Sequence, residues 1–185
     1  KTITEQVGAI DVLVNNAGIT RDGTMHRMSF DQWNAVIQTN LSSCFNMSRC
    51  VIEGMRERGF GRIINIGGLT GRSSKVMSGM RNLAIVHMTK NLSDQLGPFG
   101  ITCNIIHPGV VDTPHIHELY EREGVLQGKT PAEIEQGYID VTPIKRTLQP
   151  IEMGWLIGFL ASPKAGAVTG ESIGIDGGLT RGIFI

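Results

Sequence analysis

The chain has no surplus charge: 17 Lys and Arg stand against 17 Asp and Glu. That balance argues against a nucleic-acid-binding surface, which needs a basic excess. It has no run of like charge, so no acidic or basic tail is expected. Cysteine is sparse. Cys44, Cys50 and Cys103 show no paired or metal-type spacing. They read as small apolar fillers in a reducing compartment. No apolar run approaches the roughly 20 residues of a membrane-spanning helix. The opening KTITEQVGAIDVLVNN lacks the basic-then-apolar pattern of a signal peptide. Aromatic residues make up only 5% of the chain, while glycine contributes 24 residues. A soluble, turn-rich α/β protein of the cytoplasm is expected, without membrane or nucleic-acid partners.

What is present is an alternation. Four short apolar runs read as strands: Ile10–Asn15, Arg62–Ile66, Ile101–Ile106 and Ser172–Asp176. The first three are nearly continuous in Val, Ile and Leu, as in strands buried on both faces of a parallel sheet. Between them lie helical stretches. The first runs from Phe30 to Arg58, opened by a capping box of Ser29 and Gln32. The second runs from Ser78 to Leu96 and stops before Gly97-Pro98. The third covers Ile151–Ala161. An irregular excursion, Val110–Arg146, separates the second from the third. Within it Thr130, Pro131 and Glu133 form a strong helix start. The order predicts a doubly wound parallel sheet of Rossmann-like type, a single domain over residues 1–185, and right-handed crossovers.

The first apolar strand reads as a central one, yet no strand precedes it here. Proteins avoid an exposed apolar edge. A nucleotide-binding sheet of this kind also needs a Gly-rich turn after its first strand to receive a pyrophosphate. A missing N-terminal part, or another chain covering that edge, is therefore expected.

Five motifs mark the ends of these elements. LVNNAG (Leu13–Gly18) follows the first strand, and TNL with Asn40 sits inside the first helix. GRIINI (Gly61–Ile66) is the second strand. NIIHPGVVDT (Asn104–Thr113) closes the third, and TGESIGIDGG (Thr169–Gly178) contains the fourth. Small residues after a strand's carboxyl end let a ligand approach the backbone. In this order the set resembles the short-chain dehydrogenase/reductase family, particularly reductases of the 3-oxoacyl-acyl-carrier-protein type. The resemblance covers nearly the whole chain, beginning at the family's fourth strand.

The resemblance implies NAD- or NADP-dependent hydride transfer between a nicotinamide and a small-molecule carbonyl or alcohol substrate, in a homodimer or homotetramer. It implies that Asn15, Ala17 and Gly18 line the adenosine side of the cofactor groove and that Ile66, at the end of its strand, also lines the groove. Pro108, Gly109, Val111 and Thr113 would lie along the nicotinamide and phosphate side. The excursion over residues 110–146 would be the substrate lid. Family members hold the substrate oxygen with a Ser, use a Tyr as acid/base, and lower its pKa with a Lys four residues on. An Asn in the preceding helix supports a proton-relay water, and Asn40 matches it.

The other catalytic positions depart from that pattern. The Ser position falls on Gly68. Counting back from TKNLSDQLG, the Tyr position is Ser78 and the Lys position Asn82. Counting forward from Gly68 gives Arg81 and Ile85. The first register is preferred, because a deletion is easier in a loop than in a helix. Neither provides a Tyr or a Lys. A Ser hydroxyl is a poor acid without a strong base beside it, and Asn82 carries no charge. Thr70, Lys75 and Tyr138 are the residues that could substitute. The SGMRN segment and the TRGIFI tail resemble a divergent branch of the family that also lacks Tyr and Lys. Two readings follow besides an ordinary reductase: a catalytically degenerate member that binds a nucleotide or pairs with an active subunit, and a fragment without independent function. His107 stands where it could touch a ligand. His115 and His117 lack a third metal ligand and read as solvated. Ile85, Met88 and Leu92 recur at helical spacing and read as packing.

Overall fold

The computed structural model describes residues 2–21, 24–69 and 78–181. Its frame is a four-stranded parallel sheet in the order β1-β2-β3-β4. The strands are β1 (Val12–Asn15), β2 (Gly61–Ile66), β3 (Ile101–Pro108) and β4 (Ser172–Ile175). The pairs Asn15–Asn65 and Ile66–Ile106, with Pro108 beside Ile175, bring the carboxyl ends to one edge.

The helices are α1 (Thr2–Val7), α2 (Phe30–Val36), α3 (Ser43–Arg58), α4 (Ser78–Leu96), α5 (Pro114–Gln127), α6 (Pro131–Val141) and α7 (Pro150–Ala161). Alternation along the buried strands gives each face its own cover. Ile63, Ile101 and Cys103 pack with Val51 and Met55 of α3 and Leu96 of α4. Ile105 joins Cys44 of α3 and Ile85 of α4, with Met88 partly buried beside them. On the other face Ile64 and Ile106 meet Leu160 of α7. This is the sheet with helices on both sides that the apolar runs predict.

Three departures from the expected elements bear on the site, beside shifts of one or two residues at the ends of β2, β3, β4 and α7. β1 begins at Val12 rather than Ile10, because its ladder starts only where Arg62 lies opposite. The expected first helix is interrupted: a π-helical segment, Ile37–Ser42, separates α2 from α3. The excursion expected to be irregular is instead largely two helices. Pro114 starts α5 and Gly128, at φ 66°, ends it. The capping box of Thr130 and Glu133 starts α6 as its sequence predicts. α5 escapes sequence reading because its PHIHELYEREGVLQ run is mostly polar and buries only Tyr120 and Gly124.

At the start of α7, Glu152 accepts the Gln149 amide at 2.7 Å and two hydrogen bonds from Arg146 at 2.7 and 2.8 Å. The Arg146 hydrogen bonds, and then the Gln149 amide, pull the Glu152 carboxyl down to about 2 from its ordinary 4.5. A depressed carboxylate stabilises the fold above its unfolded pKa and ceases to do so as pH falls through its folded one. Acid melts are therefore expected to lose a small increment between about pH 4.5 and 2. Glu152→Gln removes that increment, and a titration of the Glu152 carboxyl by NMR checks the pKa. The magnitude is small because the pair is exposed.

Candidate nucleotide and substrate cleft

At the carboxyl edge, between the ends of β1 and β2, lies a cleft of about 150 Å³. Asn16, Ala17, Gly18, Ile19 and Thr20 form one wall. Asn40 of the π segment, Ile66 and Gly67 after β2, and Arg81 and Ile85 of α4 form the rest. Its position outside the strand ends, where the loops of a parallel sheet diverge, is the usual place for a ligand.

Asn40 organises the first wall. It is buried. Its Oδ1 accepts the Ile19 amide at 3.0 Å, and its Nδ2 donates to the Ile19 carbonyl at 3.0 Å. Both ends of its amide hold the backbone of the loop after β1. A Cβ on Gly18 would come within 3.3 Å of Asn40 Nδ2, so this approach favours glycine there. The π segment carries Asn40, and such bulges often occur at functional sites. Asn40→Ala removes both bonds. The Ile19 amide is then expected to exchange with solvent about tenfold faster, with the sheet amides unchanged, as read by hydrogen exchange.

The opposite wall is pinned from β3. His107 is fully buried. Its Nδ1 lies 3.0 Å from the Gly68 carbonyl, and its Nε2 lies 2.9 Å from Ser172 Oγ. A carbonyl only accepts, so Nδ1 carries a proton. In the neutral ring Nε2 then accepts from Ser172. Asn82 Nδ2 reaches the same Gly68 carbonyl at 3.4 Å. A Cβ on Gly67 would sit 2.9 Å from the His107 ring and from Ile105 Cδ1, so the strand exit passes flat against the imidazole. His107 thus holds the backbone of the cleft wall.

The sequence-derived site residues divide into groups. Ala17, Gly18, Ile66 and Asn40 come together in the cleft. Asn15 turns under the sheet instead. Its Nδ2 donates to Asn65 Oδ1 at 2.8 Å and to Ser48 Oγ at 3.4 Å. Pro108 and Gly109 lie at the end of β3, where Gly109 packs on Asp176. Val111 bridges to Leu148. Thr113 is the N-cap residue of α5, and its hydroxyl donates to the Val111 carbonyl at 3.4 Å. Asn82 is buried against Gly68, whereas Ser78 opens α4. Thr70 and Lys75 lie outside the described residues.

Tyr138 donates to Glu123 at 3.1 Å between α5 and α6. Burial, and then the Glu123 carboxylate, raise its pKa. His117 pairs with Asp112 at 2.8 Å, and His115 lies 3.7 Å from Glu118. Among the described residues no cluster of three or more His, Cys, Asp or Glu could hold a metal. Among them also, no helix is long and apolar enough to cross a membrane.

Two cleft features escape the sequence motifs. Gly67 lies between GRIINI and the Ser position, and only the lack of room for a Cβ beside His107 reveals its part. Arg81, the Tyr position in the forward count from Gly68, lies outside the five motifs and is turned into the cleft by α4.

The profile of the enoyl-(acyl carrier protein) reductase family matches residues 1–180. An acetoacetyl-CoA reductase of Shinella zoogloeoides is 41% identical over 177 residues, covering 93% of this chain and 68% of the relative. A 3-oxoacyl-acyl-carrier-protein reductase of Vibrio harveyi is 35% identical over 184 residues, covering 97% and 70%. The crystal structure of a variant of actinorhodin polyketide ketoreductase with NADPH superposes with a TM-score of 0.90 at 33% identity, covering 97% of this chain and 71% of that one. With its parallel sheet, its cleft at the strand ends and these matches along nearly its whole length, the chain belongs to the short-chain dehydrogenase/reductase family of oxidoreductases.

Proposed function

We propose that the protein is an NAD(P)-dependent oxidoreductase that transfers hydride between a nicotinamide and a carbonyl or alcohol substrate. The observation that carries this reading is the polar cleft at the ends of β1 and β2, walled by Ala17, Gly18, Asn40 and Gly67. Those residues fit a nucleotide. Ala17 and Gly18 offer backbone with little or no side chain, and Gly18 and Gly67 stand where a Cβ would crowd the walls. When bound, the nicotinamide supplies the hydride chemistry. The chain's own work is to shape and hold the cleft. Asn40 fixes the Asn16–Thr20 wall through Ile19, and His107 with Asn82 fixes the Gly67–Gly68 wall. The family resemblance assigns Pro108, Gly109, Val111 and Thr113, at and after the end of β3, to the nicotinamide and phosphate side.

The proton for the substrate oxygen is the weak point of an ordinary reductase reading. In the preferred register Gly68, Ser78 and Asn82 stand at the Ser, Tyr and Lys positions. None is an acid of suitable strength, and a positioned acid/base is worth on the order of 10²–10⁴ in rate. This favours a second reading, a member that binds nucleotide and turns over slowly or not at all. Adding NADPH or NADH to the purified protein is expected to raise its melting temperature in either case. Following nicotinamide absorbance with acetoacetyl and longer 3-oxoacyl thioesters separates the two. No thermal shift with either nucleotide sinks both.

The protein is further read as a cytoplasmic homo-oligomer acting on a small molecule. The exposed Ile151, Trp155 and Phe159 recur along one side of α7 with Gly154 and Gly158, which suits helix-to-helix packing between copies.

A further inference from the structure

Tyr120 of α5 is 1% exposed, and its hydroxyl has no hydrogen-bond partner among the described residues. A buried polar group without a partner is rare and costs free energy that a phenylalanine would not. The ring is held between His117, 6.0 Å away and edge-on, and Tyr138 of α6, 5.6 Å away. Burial, and then the Glu135 carboxylate, push the phenol up to about 12, with Asp112 and Glu123 acting in the same direction. The group is therefore a proton donor throughout the neutral range, set among three carboxylates and bonded to none of them. Two of the three are engaged. Glu123 accepts from Tyr138 at 3.1 Å, while Asp112 pairs with His117 at 2.8 Å and accepts from Gln149 at 3.4 Å. Glu135 of α6 takes no hydrogen bond among the described residues.

The hairpin of α5 and α6 is tight at its turn and loose along its length. A Cβ on Gly124 would lie 2.6 Å from the Lys129 carbonyl, and Gly128, at φ 66°, makes the turn. Further along, space is open beside Gly137, and a cavity of about 250 Å³ has Glu123, Ile134 and Tyr138 in its wall. A pivot at the turn can change the angle between the two helices without breaking either.

We propose that the α5–α6 hairpin has a second packing, in which the Tyr120 hydroxyl donates to the Glu135 carboxylate, and that this packing is the closed form of a lid over the groove. The lid role rests on the oxidoreductase reading, since α5 starts after Thr113, which the family resemblance assigns to the nicotinamide and phosphate side. The second packing does not depend on that reading and is tested first without ligand.

NMR relaxation dispersion on the ligand-free native protein is expected to show microsecond-to-millisecond exchange at Tyr120, Glu135 and Tyr138, with a minor state on the order of 1–10%. A hydrogen bond to a charged group shifts an equilibrium by roughly 10- to 150-fold, so Tyr120→Phe is expected to remove that exchange. The same variant is expected to keep the native melting temperature or exceed it, because its hydroxyl has no partner to lose. Glu135→Gln keeps an acceptor without the charge and is expected to retain part of the minor state. NADPH is expected to raise the minor population in native protein.

A native hairpin without exchange, or exchange that survives Tyr120→Phe, overturns the proposal. A fall of several degrees in the melting temperature of Tyr120→Phe also overturns it, because the hydroxyl is then already bonded. NADPH that binds and leaves the population unchanged overturns the lid role. NADPH that does not bind removes the oxidoreductase reading, while exchange lost in Tyr120→Phe still establishes the second packing.

Discussion

Installing tyrosine and lysine together, as Ser78→Tyr with Asn82→Lys, is expected to raise NADPH-dependent ketoreduction by on the order of 10²–10⁴-fold. The pairing uses the register counted back from TKNLSDQLG, in which α4 begins at Ser78 and brings position 82 one turn on to the same face. Asn82 is buried and already directs its side-chain nitrogen at the Gly68 carbonyl, 3.4 Å away. A lysine there would find the same acceptor for its ammonium. Its charge would favour the phenolate of a tyrosine four residues earlier and so lower the phenol's pKa. Ser78→Tyr alone is expected to gain less, because its phenol would keep a pKa near 10. Burying the new ammonium also lowers the melting temperature. Initial rates with an acetoacetyl thioester decide the matter. A double variant that still gains thermal stability from NADPH but shows no rate increase over native protein would sink this register.

Asn65→Leu is expected to destabilise the protein by about 2–4 kcal/mol, which at this chain length lowers the melting temperature by roughly 5–15 °C. Asn65 is fully buried in β2. Its Oδ1 accepts from Asn15 Nδ2 at 2.8 Å, and its Nδ2 donates to Thr89 Oγ1 at 2.9 Å. Leucine satisfies neither. Asn15 is then left with Ser48 at 3.4 Å, and Thr89 loses its donor while staying buried. Each orphaned group costs about 1–3 kcal/mol, more than the net worth of the bonds when made. A double-mutant cycle with Thr89→Val tests the assignment by chemical denaturation. If the two losses simply add, the amide does not work through Thr89.

The parts legible in the sequence were those governed by local chemistry. Nearly continuous Ile, Val and Leu runs located the first three strands, because a doubly covered sheet demands apolar residues on both sides. Ser29 with Gln32 and Thr130 with Glu133 announced helix starts that the structure makes with reciprocal hydrogen bonds. The family motifs gathered Ala17, Gly18, Asn40 and Ile66 at one cleft. What stayed hidden depends on tertiary placement. Asn15 read as a groove residue, yet side chains alternate along a strand, and its amide points to Asn65 under α3 and α4. The role of His107 needs the crossover that lays Gly68 over β3, a contact between residues 39 positions apart. α5 hides its helix behind polar residues and buries little of it.

The π segment over Ile37–Ser42 also sets a phase. A wide turn inserts the equivalent of one extra residue, and one residue corresponds to about 100° of helix rotation. It therefore uncouples the angle at which α2 presents Trp33 from the angle at which α3 presents Cys44, Val51 and Met55 to the sheet. Asn40 lies at that junction, where neither half alone dictates its direction. A single-residue deletion anywhere in the segment would restore ideal helical continuity. It would also force the chain to choose between seating α3 on the core and keeping Asn40 on Ile19. The irregular turn lets one helix serve the core and the cleft at once.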